Sequence, residues 1–266
     1  MPELPEVERA RALVEQRGLG RVIEDVEDGD AYVCRPHAPG EIRSALVGRS
    51  LTRTHRRGKA MWFESDGGGP DLGLHLGMAG RIVFDEPPAP RSWDRFALVF
   101  ADGGRLALRD KRRLGRAVLD PDLSTLGPDA GTVGRDAFRR RVGRGTTPIK
   151  ARLLDQSVVA GVGNLLADET LWRAGLSPRR EAGNLDDEEL DRLRRALRAA
   201  TRDATRKGGV HTGRLIVGRK RREPCPSCGA TLERATVGGR TTFWCPLEQP
   251  ATGAVPSGYA GTQSAA

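Results

Sequence analysis

Phe96-Ala97-Leu98-Val99-Phe100, a turn at Asp102-Gly103-Gly104, and Arg105-Leu106-Ala107-Leu108 form two short apolar runs closed by glycines. Runs of four or five residues rich in Phe, Val and Leu, joined by Asp-Gly-Gly, read as a β-hairpin. Upstream lie Arg81-Ile82-Val83-Phe84 with Pro87-Pro88 behind it, Leu72 to Leu76, and Ala60-Met61-Trp62-Phe63 before Gly67-Gly68-Gly69-Pro70. Arg21-Val22-Ile23 is the first of the series. Short strands punctuated this often over about residues 20–120 predict a β-sandwich or barrel. Ahead of them Val7, Ala10 and Val14 recur at helical spacing, with Pro5 suited to a first turn. Beyond about residue 130 the period becomes helical, most clearly at Leu190, Leu193, Leu197 and Ala200 behind the acidic Asp186-Asp187-Glu188-Glu189. The opposite face of that helix, Arg192, Arg194, Arg195 and Arg198, reads as solvated. The fold class expected is α+β and multidomain, with the change of pattern near Pro121 to Val133.

Forty-four Lys and Arg against 35 Asp and Glu leave a net charge of +9, which points to a polyanionic partner without choosing between DNA, RNA and acidic lipid. No apolar run reaches the ~18 to 20 residues of a membrane span, and the start of the chain lacks the basic and apolar segments of a secretory signal. A cytoplasmic protein is expected. The 266 residues hold four cysteines, too few for a disulfide framework, and three of them fall between 225 and 245.

Cys225-Pro226-Ser227-Cys228 and Cys245-Pro246-Leu247-Glu248 have the spacing of a two-knuckle zinc ribbon, with Glu248 where a fourth thiolate would stand. Three thiolates and a carboxylate are chemically able to hold Zn2+, and a metal-free finger packed on Phe243 and Trp244 is the alternative. Cys34, far away in sequence, reads as a buried thiol. Gly161-Val162-Gly163-Asn164 precedes a helical run, so free N–H groups and the Asn164 amide suit a phosphate, although a plain capping turn looks alike. Glu169 inside that run reads as a buried hydrogen-bond anchor. At the N-terminus, removal of Met1 would free the secondary amine of Pro2. An α-amino group titrates near ~8 against ~10.4 for lysine, so much more of it is unprotonated and nucleophilic at neutral pH. Glu3 beside it offers a carboxylate for acid/base work.

Taken together these segments closely resemble the formamidopyrimidine-DNA glycosylase and endonuclease VIII family of base-excision repair enzymes, over residues 1 to about 249. The resemblance is carried by Met1-Pro2-Glu3-Leu4-Pro5-Glu6-Val7-Glu8, Arg56-Arg57-Gly58-Lys59, His75-Leu76-Gly77-Met78-Ala79-Gly80 and Asp110-Lys111-Arg112-Arg113-Leu114-Gly115. It continues through Leu153-Leu154-Asp155-Gln156, Gly161-Val162-Gly163-Asn164 and Gly239-Arg240-Thr241-Thr242-Phe243-Trp244-Cys245-Pro246. The N-terminus looks more like the formamidopyrimidine branch. The resemblance implies an N-terminal helix plus β-sandwich over 1–130, a helical helix-two-turns-helix domain over 131–222, a zinc-finger-like β-hairpin over 223–249 and a disordered tail over 250–266. It implies a bifunctional glycosylase and abasic-site lyase on damaged double-stranded DNA, acting as a monomer and associated with the nucleoid. Pro2 would be the Schiff-base nucleophile, Glu3 the proton donor and acceptor, and Lys59 an assistant to base loss. Asn164 and Arg240 would grip phosphates flanking the extruded nucleotide, with Arg240 counted among the catalytic groups. Met78, Arg112 and Leu114 would fill the vacated stack, Arg112 reading the orphaned base. Cys225, Cys228, Cys245 and Glu248 would bind structural zinc.

Three departures stand out. Leu114 replaces the family's common phenylalanine, making a smaller wedge. Only seven residues separate Gly209 from Val217, where the formamidopyrimidine branch usually carries a longer loop that closes over 8-oxoguanine. Glu248 replaces the last cysteine. The other readings are an endonuclease VIII-like preference for oxidised pyrimidines, a non-catalytic relative that only holds damaged sites, and a zinc-ribbon RNA-binding protein.

Overall fold

The computed structural model describes residues 1–85, 92–221 and 223–251, so Pro87-Pro88 and residues 252–266 of the expected tail lie outside the described residues. Helix α1 (Leu4–Arg17) begins directly after Glu3, with Pro5 in its first turn, and buries Leu4, Val7, Ala10 and Val14 along one face. The strands that follow are β1 (Ile23–Glu27), β2 (Leu51–Arg57), β3 (Ala60–Ser65), β4 (Leu72–His75) and β5 (Arg81–Asp85). They continue as β6 (Asp94–Phe100), β7 (Arg105–Arg109) and β8 (Arg116–Leu119), with the short helix α2 (Glu41–Leu46) between β1 and β2. Two four-stranded antiparallel sheets result, ordered β1-β6-β7-β5 and β2-β3-β4-β8. Phe63, Leu72 and Leu74 of one sheet meet Leu98, Phe100 and Leu106 of the other, with Val7 and Val14 of α1 in the same core. In the β6–β7 hairpin Leu98 pairs with Leu106, and Gly103 and Gly104 take φ of 83° and 92°, which glycine adopts without strain.

The first strand differs from its sequence reading. Val22 lies outside β1, bridging Ser50 and accepting the Ala101 N–H at 2.9 Å, and is half-exposed, while β1 itself runs Ile-Glu-Asp-Val-Glu. Only Ile23 and Val26 point inward, and the acidic residues between them hide the strand from a search for apolar runs.

The chain divides between Asp129 and Ala130 into two compact units. The second holds α3 (Arg135–Val142), α4 (Ile149–Leu154), α5 (Asn164–Ala174), α6 (Asp187–Lys207), α7 (Arg214–Arg221) and the hairpin β9 (Glu233–Val237) with β10 (Arg240–Trp244). Helix α6 opens on a capping box, Glu189 N–H donating to Asp186 at 2.8 Å and Asp186 N–H to Glu189 at 3.1 Å, and closes on Gly208 at φ 105°. Leu190, Leu193, Leu197 and Ala200 are its buried stripe. Its arginine face is only partly solvated, because Arg192 donates to the Ala174 carbonyl at 2.9 Å and Arg194 to that of Val133 at 3.1 Å. The Ala174 carbonyl lies at the end of α5, where the helix supplies no N–H of its own, and that of Val133 lies just ahead of α3. Among the described residues no helix is long and apolar enough to cross a membrane.

Candidate active site

In the first unit, Pro2 and Glu3 lead directly into α1. Glu3 is 1% exposed, and its N–H donates to Glu6 Oε2 at 3.0 Å, one half of the capping box that ties the two carboxylates together. Pro2 is only partly covered, and a cavity of 510 Å3 opens beside it, lined among others by Glu6, Arg9, Leu76 and Arg81. Met1, which acylates Pro2 in the full-length chain, is half-exposed.

Lys59 follows Gly58, whose φ of 61° turns the tight β2–β3 hairpin. The two arginines ahead of it anchor that tip. Arg56 reaches Glu8 on α1 at 2.7 Å and also pairs with Asp129, which accepts the Gly58 N–H at 2.7 Å. Arg57 donates to the carbonyls of Gly127 and Leu126. The hairpin bearing Lys59 is thus fastened to the helix that begins directly after Glu3. His75 pairs with Ala60 across β3 and β4, and burial, with the Lys59 ammonium second, pushes its imidazole below the usual histidine value. A neutral ring suits its Nδ1, which accepts the Gly77 N–H at 3.0 Å.

Met78, Arg112 and Leu114 come from two loops in backbone contact. The fully buried Asp110 carboxylate organises the second loop, accepting the N–H groups of Arg112 at 2.9 Å, Leu114 at 2.7 Å and Gly115 at 2.8 Å. The loop therefore presents Arg112 outward, and Met78 is 42% exposed opposite.

In the second unit Asn164 is the first residue of α5, and its Nδ2 donates to the Thr241 carbonyl at 3.0 Å. Arg240, exposed, is the preceding residue on the tip of the β9–β10 hairpin, so these two are brought together. Gly238 and Gly239 take φ of 58° and 69° at that tip, and a Cβ on Gly238 would lie 2.8 Å from Ala151 of α4. Lys150 Nζ donates to Thr242 Oγ1 at 2.7 Å, and Thr242 Oγ1 donates to the Arg240 carbonyl at 2.9 Å. Sequence reasoning missed Lys150, and it quoted Asp110 within a motif without giving it a role. A lysine beside Ile149 and Leu153 carries no signal of burial, whereas an aspartate ahead of Arg-Arg-Leu-Gly is a recognisable loop cap. Glu169 serves as the anchor expected of it, accepting Arg214 N–H at 3.2 Å, Leu215 N–H at 3.0 Å and Arg173 Nε at 2.9 Å.

The sulfurs of Cys225, Cys228 and Cys245 lie within 4.8 Å of one another. Such a cluster on two knuckles suits zinc, and the Glu248 N–H donates to Cys245 Sγ at 3.5 Å. The carboxylate of Glu248 is not among the clustered ligand atoms. Cys34 is fully buried, and burial together with Asp28 and Asp30 pushes its thiol up to about 12.

The chain is 35% identical over 285 residues to a formamidopyrimidine-DNA glycosylase of Nocardioides sp., covering 94% of this chain and 95% of that one. A formamidopyrimidine-DNA glycosylase of Thermus thermophilus is 37% identical, with 94% and 98% covered. The chain belongs to the formamidopyrimidine-DNA glycosylase family. Three family profiles tile it: the formamidopyrimidine-DNA glycosylase N-terminal domain over 1–117, the H2TH domain over 126–214, and the zinc finger found in FPG and IleRS over 222–247. Among solved structures of the family, the Lactococcus lactis enzyme in complex with DNA containing an abasic site superposes with a TM-score of 0.81 at 29% identity, covering 93% of this chain and 99% of that one. The same enzyme with DNA containing FAPY-dG gives 0.82 at 29% identity, covering 93% and 100%.

Proposed function

We propose that this protein is a bifunctional DNA glycosylase and abasic-site lyase that removes oxidised bases from duplex DNA in base-excision repair. The observation that carries the reading is the N-terminus: an accessible proline followed at once by a buried carboxylate fixed at the head of α1. Phosphate binding alone requires neither.

With Met1 removed, the unprotonated Pro2 amine attacks the sugar C1′ as the bond to the damaged base breaks, and the departing base takes up a proton. Loss of the amine's proton and opening of the sugar ring leave an iminium between Pro2 and C1′. Glu3 carries protons to and from the sugar, and the iminium acidifies the adjacent carbon, so β-elimination expels the 3′ phosphate and δ-elimination the 5′ phosphate. Lys59 assists base loss. Asn164 and Arg240 hold the flanking phosphates, while Met78, Arg112 and Leu114 fill the stack left by the extruded nucleotide, Arg112 facing the orphaned base.

Cys225, Cys228 and Cys245 would hold a structural zinc ion. Glu248 stands at the knuckle position of a fourth ligand, and a turn of its side chain toward the three sulfurs would complete the tetrahedron. Binding to chromosomal DNA would place the protein on the nucleoid, and the reading needs one copy of the chain.

Borohydride trapping of the Met1-processed protein on duplexes containing an abasic site, a formamidopyrimidine, 8-oxoguanine or an oxidised pyrimidine tests this. A covalent adduct that disappears when the Pro2 amine is acetylated is expected. Salt-sensitive binding without any adduct on the abasic duplex would instead favour a protein that only recognises damage.

A further inference from the structure

Tyr32 lies on the surface of the first unit, 46% exposed, and three guanidiniums converge on it. Arg35 stands 3.8 Å from the ring centroid, Arg116 5.1 Å and Arg113 5.8 Å. Arg35 and Arg116 also donate to the Tyr32 carbonyl, and Arg113 grips Asp30 through both oxygens, at 2.7 and 3.0 Å. Among the described residues Asp30 is the carboxylate that Arg113 pairs with, and Arg95 approaches it too, at 3.9 Å.

Cations gathered this closely around one carboxylate repel each other, and the exposed ring buries no core in return. Stacking on tyrosine holds the guanidiniums in place without neutralising them. Such a fixed excess of forked donors is complementary to a polyanion, and phosphate accepts guanidinium donors in pairs. The patch also has an address. Arg113 follows Arg112 directly, and Arg116 stands four residues beyond it in a stretch whose backbone Asp110 fixes.

We propose that Tyr32, Arg35, Arg113 and Arg116 form a phosphate-binding surface for the undamaged strand of the duplex, beside the base that Arg112 faces. This inference rests on the DNA-repair reading above, since Arg112 defines which strand lies there. It assigns the cluster a gripping role on the strand that is not cut, so that the duplex stays in register while the other strand loses a nucleotide.

The test is equilibrium binding of the full-length protein to a duplex with a stable abasic analogue, with single phosphates of either strand neutralised as methylphosphonates. Wild-type protein is expected to lose about tenfold in affinity, the worth of one charge-assisted hydrogen bond, when one or two undamaged-strand phosphates next to the orphaned base are neutralised. Arg35→Gln and Arg116→Gln should each bind the native duplex correspondingly more weakly. They should show a salt slope lower by about one, and no longer sense the neutralised phosphate. Urea midpoints of the two variants identify any loss of folding, and Tyr32→Leu, which removes only the ring, provides a third route to the same coupling. Wild-type affinity and salt slope in the variants, or additive losses with every undamaged-strand methylphosphonate, would overturn the assignment. Borohydride trapping on the natural abasic duplex separates the two claims. An adduct without phosphate coupling sinks the strand grip alone, and coupling without an adduct sinks the catalytic reading.

Discussion

Gly77 and Leu114 touch backbone to backbone: a Cβ built on Gly77 would lie 2.4 Å from both the carbonyl carbon and the oxygen of Leu114. Gly77 also takes φ 57°, a region L side chains rarely occupy. Two loops therefore meet with no side chain between them, and this contact sets Met78 against the loop of Arg112 and Leu114. Gly77→Ala would have to separate the loops and strain its own backbone, costing about 1–3 kcal/mol. The expected outcome is a fall in urea stability of that order with a larger fall in lesion excision than in binding of undamaged DNA. Unchanged excision kinetics would show that the loops need not touch.

The fully buried Lys150 and Asp168, 2.6 Å apart, connect α4 and α5 to the finger. Asp168 also pairs with Arg219 at 2.6 Å, and Lys150 reaches Arg240 through the Thr242 hydroxyl. Removing Lys150 leaves the buried Asp168 with Arg219 as its remaining cation, so only part of the compensation is lost. Lys150→Met should therefore cost less than a wholly orphaned buried charge, about 1–3 kcal/mol in urea unfolding. Thr242→Val, which removes only the last link, should cost about 1 kcal/mol and still weaken binding to an abasic duplex. Normal binding by Thr242→Val would mean that Arg240 is placed by its own hairpin.

His75 supplies a pH dependence. Its folded-state value lies below the ordinary ~6.5, from burial first and Lys59 second, so folding favours the neutral ring. That stabilisation is complete above ~6.5 and is lost as pH falls through the unfolded value toward the lower folded one. Protonated Nδ1 also cannot accept the Gly77 N–H. The urea midpoint of wild-type protein should drop more between pH 7.5 and 5 than that of His75→Gln, whose amide oxygen can accept the same bond at either pH. Parallel curves would remove His75 from the account.

Metal removal should affect stability more than binding. The finger is held by more than its sulfurs: Trp172 and Leu215 pack on Cys225 and Cys245, and Lys150, Asn164 and Asp168 bond the β9–β10 hairpin. Chelation is expected to lower the melting temperature while leaving abasic-duplex affinity within about threefold. Glu248→Cys, restoring a fourth thiolate, should slow zinc release by at least about tenfold. Equal release rates in the two proteins would show that the fourth position contributes little to retention.

Helix, sandwich and finger were legible because each rests on local pattern: Val7, Ala10 and Val14 at helical spacing, Leu98 and Leu106 flanking a glycine turn, cysteines on two knuckles. The residues that could carry chemistry were legible as motifs. What holds them was not, because it is long-range and polar. Arg56 with Glu8 and Asp129, Asp110 beneath its loop and Lys150 with Asp168 unite residues 18 to 73 positions apart, or cap a loop from below. In each case the charge lies where sequence reading assigns solvent. The arginines of α6 show the same limit, since carbonyls that need a donor emerge only once α5 and α6 pack.

The segment after α6 bears on lesion choice. Gly209 is followed by a 3-10 turn at Val210–Thr212 and then by α7 from Arg214, so the seven residues are all accounted for. Glu169 pins the start of α7 through the N–H groups of Arg214 and Leu215, and a Cβ on Gly213 would lie 2.6 Å from its carboxylate. No slack is left for a covering loop of the kind expected over a flipped 8-oxoguanine. Excision of 8-oxoguanine should then be slower than that of ring-opened purines or oxidised pyrimidines, by about tenfold or ~1.4 kcal/mol of barrier. Single-turnover rates on matched duplexes measure this, and equal rates would show that 8-oxoguanine is retained without a lid. Grafting a longer, glycine-rich loop between Gly209 and Gly213 should leave abasic-site cleavage unchanged, because that reaction has no base to cover.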